Sequence, residues 1–154
     1  VLGTVATLTA SKTYTGLADL PHFNPDDDRD PLDPAVASLR AAIKEADAVL
    51  ICTPEYAGGL PGSFKNLLDW TVGGGEMYGK PVAWINASSV AAPTGGRDAH
   101  DSLRKVLTYA GAKIVEEACV RIPVARADVA GGQVADPDLR GRIAVAVKRL
   151  REGI

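Results

Sequence analysis

Aromatic side chains make up only 5% of this 154-residue sequence, and there are two cysteines and two histidines. The few aromatics are not interleaved with Lys and Arg, and the formal net charge is −2, so no basic stripe marks a nucleic-acid binder. No apolar run approaches the roughly 18 residues that a membrane helix needs. No secretory leader pattern is visible, and the sequence opens at Val1. His22 and His100 lie far apart, beside Pro21 and Asp101, and read as surface or loop residues; zinc would need more ligands than these. Cys52 and Cys119 sit in separate apolar runs without a CxxC spacing. They read as small core side chains, a disulfide is not expected, and the usage fits a reducing, cytoplasmic setting. GxGxxG is missing, which removes support for a dinucleotide-binding Rossmann site. Ser88 and Ser89 have neither a GxSxG elbow nor obvious His–Asp partners, which argues against a serine hydrolase.

What is present is an apolar fraction of 46% in a chain whose length suits a single domain with a substantial core. Val1, Leu2, Val5 and Leu8 fall at helical spacing, so Val1–Thr9 reads as the last turns of a helix. A short strand over Lys12–Gly16 could follow. The acidic run Asp26-Asp27-Asp28 reads as a solvated turn, since adjacent acids repel and no further ligands are spaced to join them in holding a metal. Asp33-Pro34 is an N-cap with proline in the first turn, followed by Val36, Leu39, Ile43 and Ala46 at a period near 3.6. Continuous apolar strands are predicted at Ala48–Cys52 and Val82–Ile85, and a further strand at Lys113–Ile122. Gly73-Gly74-Gly75 reads as a mobile loop. The helix carrying Leu103, Val106, Leu107 and Ala110 stops at Gly111. A loop runs through Asp128 to Val134. Asp136-Pro137 opens a last helix with Leu139, Ile143, Val147 and Leu150 inward. Regular alternation of helices with continuous apolar strands predicts an α/β fold with a doubly wound parallel sheet in three layers.

One stretch organises the rest: Thr53 to Trp70, TPEYAGGLPGSFKNLLDW. It leaves the strand Ala48–Cys52, bends through Pro54, Gly58, Gly59 and Pro61, and enters a helix. A turn at the carboxyl end of a central strand is where open α/β sheets keep their ligands. Tyr56 offers a flat ring, and Gly58 and Gly59 allow backbone to approach a ligand closely. Phe64, Leu67 and Leu68 share a buried face, with Lys65 and Asp69 four apart on an outer one. Trp70 and Trp84 are candidate core residues.

Pro54-Glu55-Tyr56, Leu60-Pro61-Gly62, Lys65-Asn66 and Leu68-Asp69-Trp70 resemble the signature of the NADPH-dependent FMN reductase family. The resemblance extends from about Tyr14 to Ala112. It implies a flavodoxin-like fold in a single domain over 1–154, FMN as cofactor, and NADPH or NADH as co-substrate. The electron acceptor would be a small molecule such as free flavin, a quinone, an azo compound or a metal oxyanion. It also implies a homodimer or homotetramer. Carried over by motif, the cofactor-binding residues are Pro54, Glu55, Tyr56, Ala57 and Gly58, with Ala87, Ser88 and Ser89 in the loop after the next strand. Family members often carry Asn at the position of Ala57. Glu55 is read as a turn or interface carboxylate rather than a proton donor, because the flavin itself does the hydride chemistry. No catalytic residue and no metal ligand are assigned. Arg97 and Arg104 could attract the NADPH phosphate or simply be solvated on an amphipathic helix.

Flavodoxin-like sheets run in the order 2-1-3-4-5, with flavin at the switch between strands 1 and 3. Here a helix stands where strand 1 should open the chain, and no Gly/Ser-rich phosphate loop is found. The expectation is that the domain is incomplete at its N-terminus. The alternative is that Val1–Thr9 extends to fill the gap. A flavodoxin-like interaction module without flavin is the competing functional reading.

Overall fold

The computed structural model describes residues 1–9, 11–87 and 93–154. Five helices flank a small parallel sheet. They are α1 (Leu2–Thr9), α2 (Pro34–Glu45), α3 (Gly62–Asp69), α4 (Arg97–Tyr109) and α5 (Pro137–Glu152). The strands are β1 (Val49–Thr53), β2 (Pro81–Asn86), β3 (Lys113–Ile114) and β4 (Val120–Arg121), with a hairpin of β5 (Val129–Ala130) and β6 (Gln133–Val134). β2 lies centrally, pairing in parallel with β1 on one side and with β3 and β4 on the other.

Side-chain alternation along β2 creates the two cores. Val82 and Trp84 face α2, α3 and α4, in a cluster with Val36, Leu39, Ile43, Ile51, Leu68, Trp70, Leu103 and Leu107. Ile85 faces the other way, into a cluster with Val5 of α1 and Ile143, Ala146 and Val147 of α5. Ala83 joins Val115, Ala118 and Leu150 on that same face. A strand covered on both faces must be apolar throughout, which is why Val82 to Ile85 reads as a continuous run rather than an alternation. The expected three-layer, flavodoxin-like α/β arrangement is therefore present.

The caps behave as anticipated. Asp33 accepts from the Ala35 amide and Asp136 from the Leu139 amide, both at 2.8 Å, with proline entering each helix behind them. Gly111, at φ +72°, ends α4, and the Ala112 amide bonds back to the Leu107 carbonyl. Lys65 and Asp69 pair along the outside of α3.

Several expectations fail. Lys12–Gly16 is no strand: the segment passes without ladder pairing into a 3-10 turn at Gly16–Asp19. A strand exists only through a neighbour, and among the described residues β1 bonds only to β2. Val1–Thr9 does not extend to take that place, because it is helical from Leu2 and packs on α5. The predicted strand Lys113–Ile122 is split by a 3-10 turn at Glu116–Ala118. The chain takes six steps from Ile114 to Val120 where β2 takes three, from Val82 to Ile85. The surplus loops outward, exposing Glu116 and Glu117 while burying Val115 and Ala118. Asp128–Val134, read as a loop, contains the β5–β6 hairpin. Its Gly131-Gly132 turn has φ of +56° and +76°, a two-residue hairpin signal the sequence reading passed over.

One polar feature also differs. Asp28 is not solvated. Its carboxylate accepts from Arg40 Nη2 at 2.7 Å with both side chains largely buried. Gly73 and Gly74 are exposed, in turns after α3, and lie beside carboxylate side chains. A Cβ on Gly73 would overlap the Asp28 carboxylate, and one on Gly74 the Glu76 carboxylate.

Candidate functional site

The in-register pair Thr53–Asn86 ends β1 and β2 together, and Asn86 is in turn paired with Arg121 at the end of β4. Parallel strands carry their carboxyl ends to one edge, so the segments after β1 and β2 leave side by side. The first holds Pro54 to Gly58 and the second opens with Ala87. This is the juxtaposition the sequence reading expected. Ser88 and Ser89, the remaining two candidates, lie outside the described residues.

The β1 segment folds into a closed turn. The Tyr56 amide donates to the Gly59 carbonyl and the Gly59 amide to the Tyr56 carbonyl, each at 3.0 Å. Ala57 and Gly58 form the tip with φ of +49° and +72°, the double left-handed conformation of a type I′ turn. Ala57 is the one non-glycine residue with positive φ among those described. The Tyr56 ring is 65% exposed, so it does not cap the core. Beyond the tip there is room. An added Cβ on Gly59 would meet nothing within 4 Å, and one on Gly58 only Asp98 Oδ2 at 3.8 Å. The amides of Ala57 and Gly58 stand outside the turn's own bonded pair. A flat ring, tip amides and clear space fit the ring end of a flavin, which needs an apolar wall and backbone donors at its polar edge.

Glu55 points elsewhere. The residue before helix α4 is Gly96, which has φ +85° and no side chain to cap the first amides. Glu55 fills that role from another element. Its Oε2 accepts from the Ala99 amide at 3.1 Å and its Oε1 accepts from the Thr94 hydroxyl. The Thr94 hydrogen bond, opposed by burial and assisted by the Ala99 and Asp98 amides and Arg97, holds the Glu55 carboxyl below the usual range. A carboxylate at a helix N-terminus is further favoured by the aligned peptide dipoles. The reading of Glu55 as something other than a proton donor agrees with this geometry. Its capping partner was invisible in sequence, although an uncapped Gly95-Gly96-Arg97 helix start was a usable hint.

His100 departs from the expected surface role. Its ring packs edge-on against Trp84, with centroids 5.6 Å apart, and Nε2 is buried without a hydrogen-bond partner among the described residues. Burial, then the charges of Arg121 and Arg104, push its pKa down to about 4, against smaller opposing effects of Asp101 and Glu55. The imidazole is therefore neutral at pH 7. Arg104 also lies over the Trp84 ring at 5.5 Å and pairs with Glu116. His22 is exposed, as expected. Both cysteines are free thiols; burial raises the pKa of Cys52, and that of Cys119 to about 11, so neither is an activated nucleophile. No group of three or more potential metal ligands occurs among the described residues.

The motif's other residues are structural. Asn66 accepts from the Phe23 amide at 2.7 Å and donates to the Pro21 carbonyl, which also receives the Trp70 indole N–H. These bonds fasten the Pro21–Phe23 segment to α3.

Comparison with known proteins agrees with the geometry. A quinone reductase of Escherichia coli is 35% identical over 104 residues, covering 66% of this chain and 54% of that protein. A 2-hydroxy-1,4-benzoquinone reductase of Burkholderia is 37% identical over 112 residues, 70% of this chain and 59% of the relative. The chain thus spans little more than half the length of these curated relatives. Among solved structures, the flavoenzyme NAD(P)H:acceptor oxidoreductase FerB of Paracoccus denitrificans superposes with a TM-score of 0.81 at 27% identity, over 99% of this chain and 88% of that one. The profile of the NADPH-dependent FMN reductase family matches residues 2–127, most of the chain and the whole of the described site, and the chain belongs to that family.

Proposed function

We propose that this protein is an NAD(P)H-dependent FMN oxidoreductase that delivers electrons to a small-molecule acceptor of the quinone or azo type. The observation that carries the reading is the Pro54–Gly59 turn at the sheet's carboxyl edge, with an exposed Tyr56 ring and open tip amides. The quinone reductases similar to this chain, and an NADPH azoreductase of Bacillus that is 38% identical over 69 residues, support the acceptor class. When bound, FMN supplies the hydride-accepting and electron-donating chemistry.

The chain's own residues bind and orient. Tyr56 provides a wall, the Ala57 and Gly58 amides provide donors for the ring edge, and Pro54 stiffens the exit from β1. Ala87 opens the neighbouring segment, and the resemblance adds Ser88 and Ser89 to the set, which lie outside the described residues. Positioning of the two reacting rings, rather than a side-chain acid or base, is the source of rate. Neutral His100 and the bonded Glu55 carboxylate agree with a site that moves no proton through these two groups. A homodimer or homotetramer and a cytoplasmic location complete the proposal. Exposed Tyr78 and Tyr109 are surfaces suited to self-association, and the free thiols suit a reducing compartment.

The test is an absorption spectrum after FMN addition and desalting, then NADPH. Retained flavin absorbance that bleaches with NADPH is expected. Failure to retain flavin would favour the flavin-free interaction module. Because Tyr56 is exposed, Tyr56→Ala is expected to weaken FMN retention or turnover by about tenfold with an unchanged melting temperature. Equal activity in that variant would remove Tyr56 from the site.

A further inference from the structure

The turn and helix α4 are tied by one side chain. Glu55 precedes Tyr56 in the turn, yet its carboxylate is spent on Thr94 and Ala99, roughly forty residues later in the sequence. Gly58 at the tip also approaches Asp98 in the first turn of α4. Helix α4 has no cap of its own, because Gly96 brings no side chain. Three orphan features therefore meet: an uncapped helix start, an exposed turn with a strained tip, and a carboxylate between them.

We propose that Glu55 is a positioning residue, a latch whose carboxylate caps α4 and thereby fixes the Tyr56–Gly59 turn at the angle needed to present Tyr56 and the tip amides to the flavin. The flavin part of this inference rests on the proposed function; the latch itself rests on geometry alone. The two bonds leave the carboxylate from different oxygens, so rotation of the side chain breaks at least one. The bonds connect the segment after β1 with the segment leading into α4. They set the spacing between the two walls of the candidate site. Without them, the Ala99 amide loses its acceptor and the turn is held only by its own amide–carbonyl pair. A glutamine retains an acceptor oxygen for Ala99 and an amide that can donate to Thr94, so it preserves the tie without the charge.

The experiment compares wild type, Glu55→Ala, Glu55→Gln and, as a control, Asp136→Ala, which uncaps α5 away from the site. Two readouts are taken: FMN affinity by fluorescence titration, and amide hydrogen exchange at Ala99, Tyr56 and Gly59. Glu55→Ala is expected to raise the FMN Kd by about tenfold or more and to speed exchange at all three amides. Glu55→Gln is expected to restore Kd to within about threefold of wild type. Asp136→Ala is expected to lower the melting temperature while leaving Kd within about twofold. An unchanged Kd in Glu55→Ala would overturn the proposal. So would fast exchange at Ala99 with Tyr56 and Gly59 still protected, because the cap would then not hold the turn. If wild type binds no FMN, the flavin reading fails, while coupled exchange between Ala99 and the turn still decides the latch. Should Glu55→Ala not fold, Thr94→Val removes one of the two bonds, and faster exchange at Tyr56 and Gly59 is the supporting result; wild-type exchange there would count against the latch.

Discussion

Ala57 carries backbone strain that its side chain does nothing to relieve. At φ +49° an L-residue with a Cβ sits about 1–2 kcal/mol above its ordinary conformations. Asn tolerates this region better, and Asn-Gly is the favoured pair at the tip of a type I′ turn. Ala57→Asn should therefore stabilise the protein by about 0.5–1 kcal/mol, read as a higher urea midpoint with an unchanged slope. A lower midpoint would show that the tip does not hold this conformation in solution. His100 makes the second residue-scale prediction. Its folded pKa, about 4, lies below the ordinary value of 6.5, so the unfolded chain takes up a proton that the folded one refuses. Above pH 6.5 both states hold the ring neutral and there is no penalty. As pH falls from 6.5 toward 4 stability should drop, and His100→Phe, which keeps a ring against Trp84, should flatten that slope. Urea midpoints at pH 7 and 5 for both proteins measure it. An unchanged slope in the variant would place the acid sensitivity elsewhere. Glu55 titrates below its usual 4.5, outside most of that window, and its contribution is lost only as pH falls further, through its lowered folded pKa.

At the scale of elements, α3 shows how a functional motif divides its labour. Leu68 is buried and Phe64 and Leu67 pack against the same core, while Lys65 and Asp69 pair outside. Asn66 and Trp70 hold the Pro21–Phe23 segment through three hydrogen bonds, and Phe23 meets the Trp70 ring edge-on at 5.0 Å. Asn66→Ala leaves the Phe23 amide without its acceptor, and should cost about 1–3 kcal/mol in chemical denaturation. FMN retention should not change, because no Asn66 bond reaches the Tyr56 turn. A stable variant that loses flavin would instead place Asn66 in the site. Helix α4 is the counter-example to local design. It lacks a cap of its own and depends on a residue from the β1 turn, so its start and that turn are bonded to each other.

Across the whole molecule, Arg40 ties distant parts together. From α2 it donates to Asp28 in the acidic segment and twice to the Trp70 carbonyl at the end of α3, and it lies 3.8 Å from Glu76. All three charged side chains are largely buried, and Glu76 Oε2 has no hydrogen-bond partner among the described residues. Removing the cation leaves two carboxylates in a poorly solvated place. Arg40→Ala should lower stability by about 3–5 kcal/mol, measured by equilibrium unfolding. A loss below about 1 kcal/mol would mean that water reaches the cluster and screens it. Gly73 and Gly74 lie against the same cluster, so a Cβ at either would make the Asp28 or the Glu76 carboxylate shift.

Periodicity and turn chemistry in the sequence were enough for the three-layer α/β architecture, the helices from Pro34 and Pro137 and the buried β2. Each of these follows from local rules, because apolar period, proline and N-cap residues act within a few positions of themselves. Strand pairing does not. Lys12–Gly16 has strand-like residues and no ladder, and Lys113–Ile122 has apolar residues at both ends yet breaks at Glu116–Ala118, where β2 is too short to match it. Charged residues were the least legible. Asp28 looked solvated and His100 looked superficial, because the partners that decide their environment, Arg40 and Trp84, are 12 and 16 residues away in sequence. Glu55 was placed correctly in its turn, but only the tertiary structure showed that its carboxylate serves α4. Hydrogen bonds and burial between distant segments depend on how the chain closes in space, which no short window of sequence records.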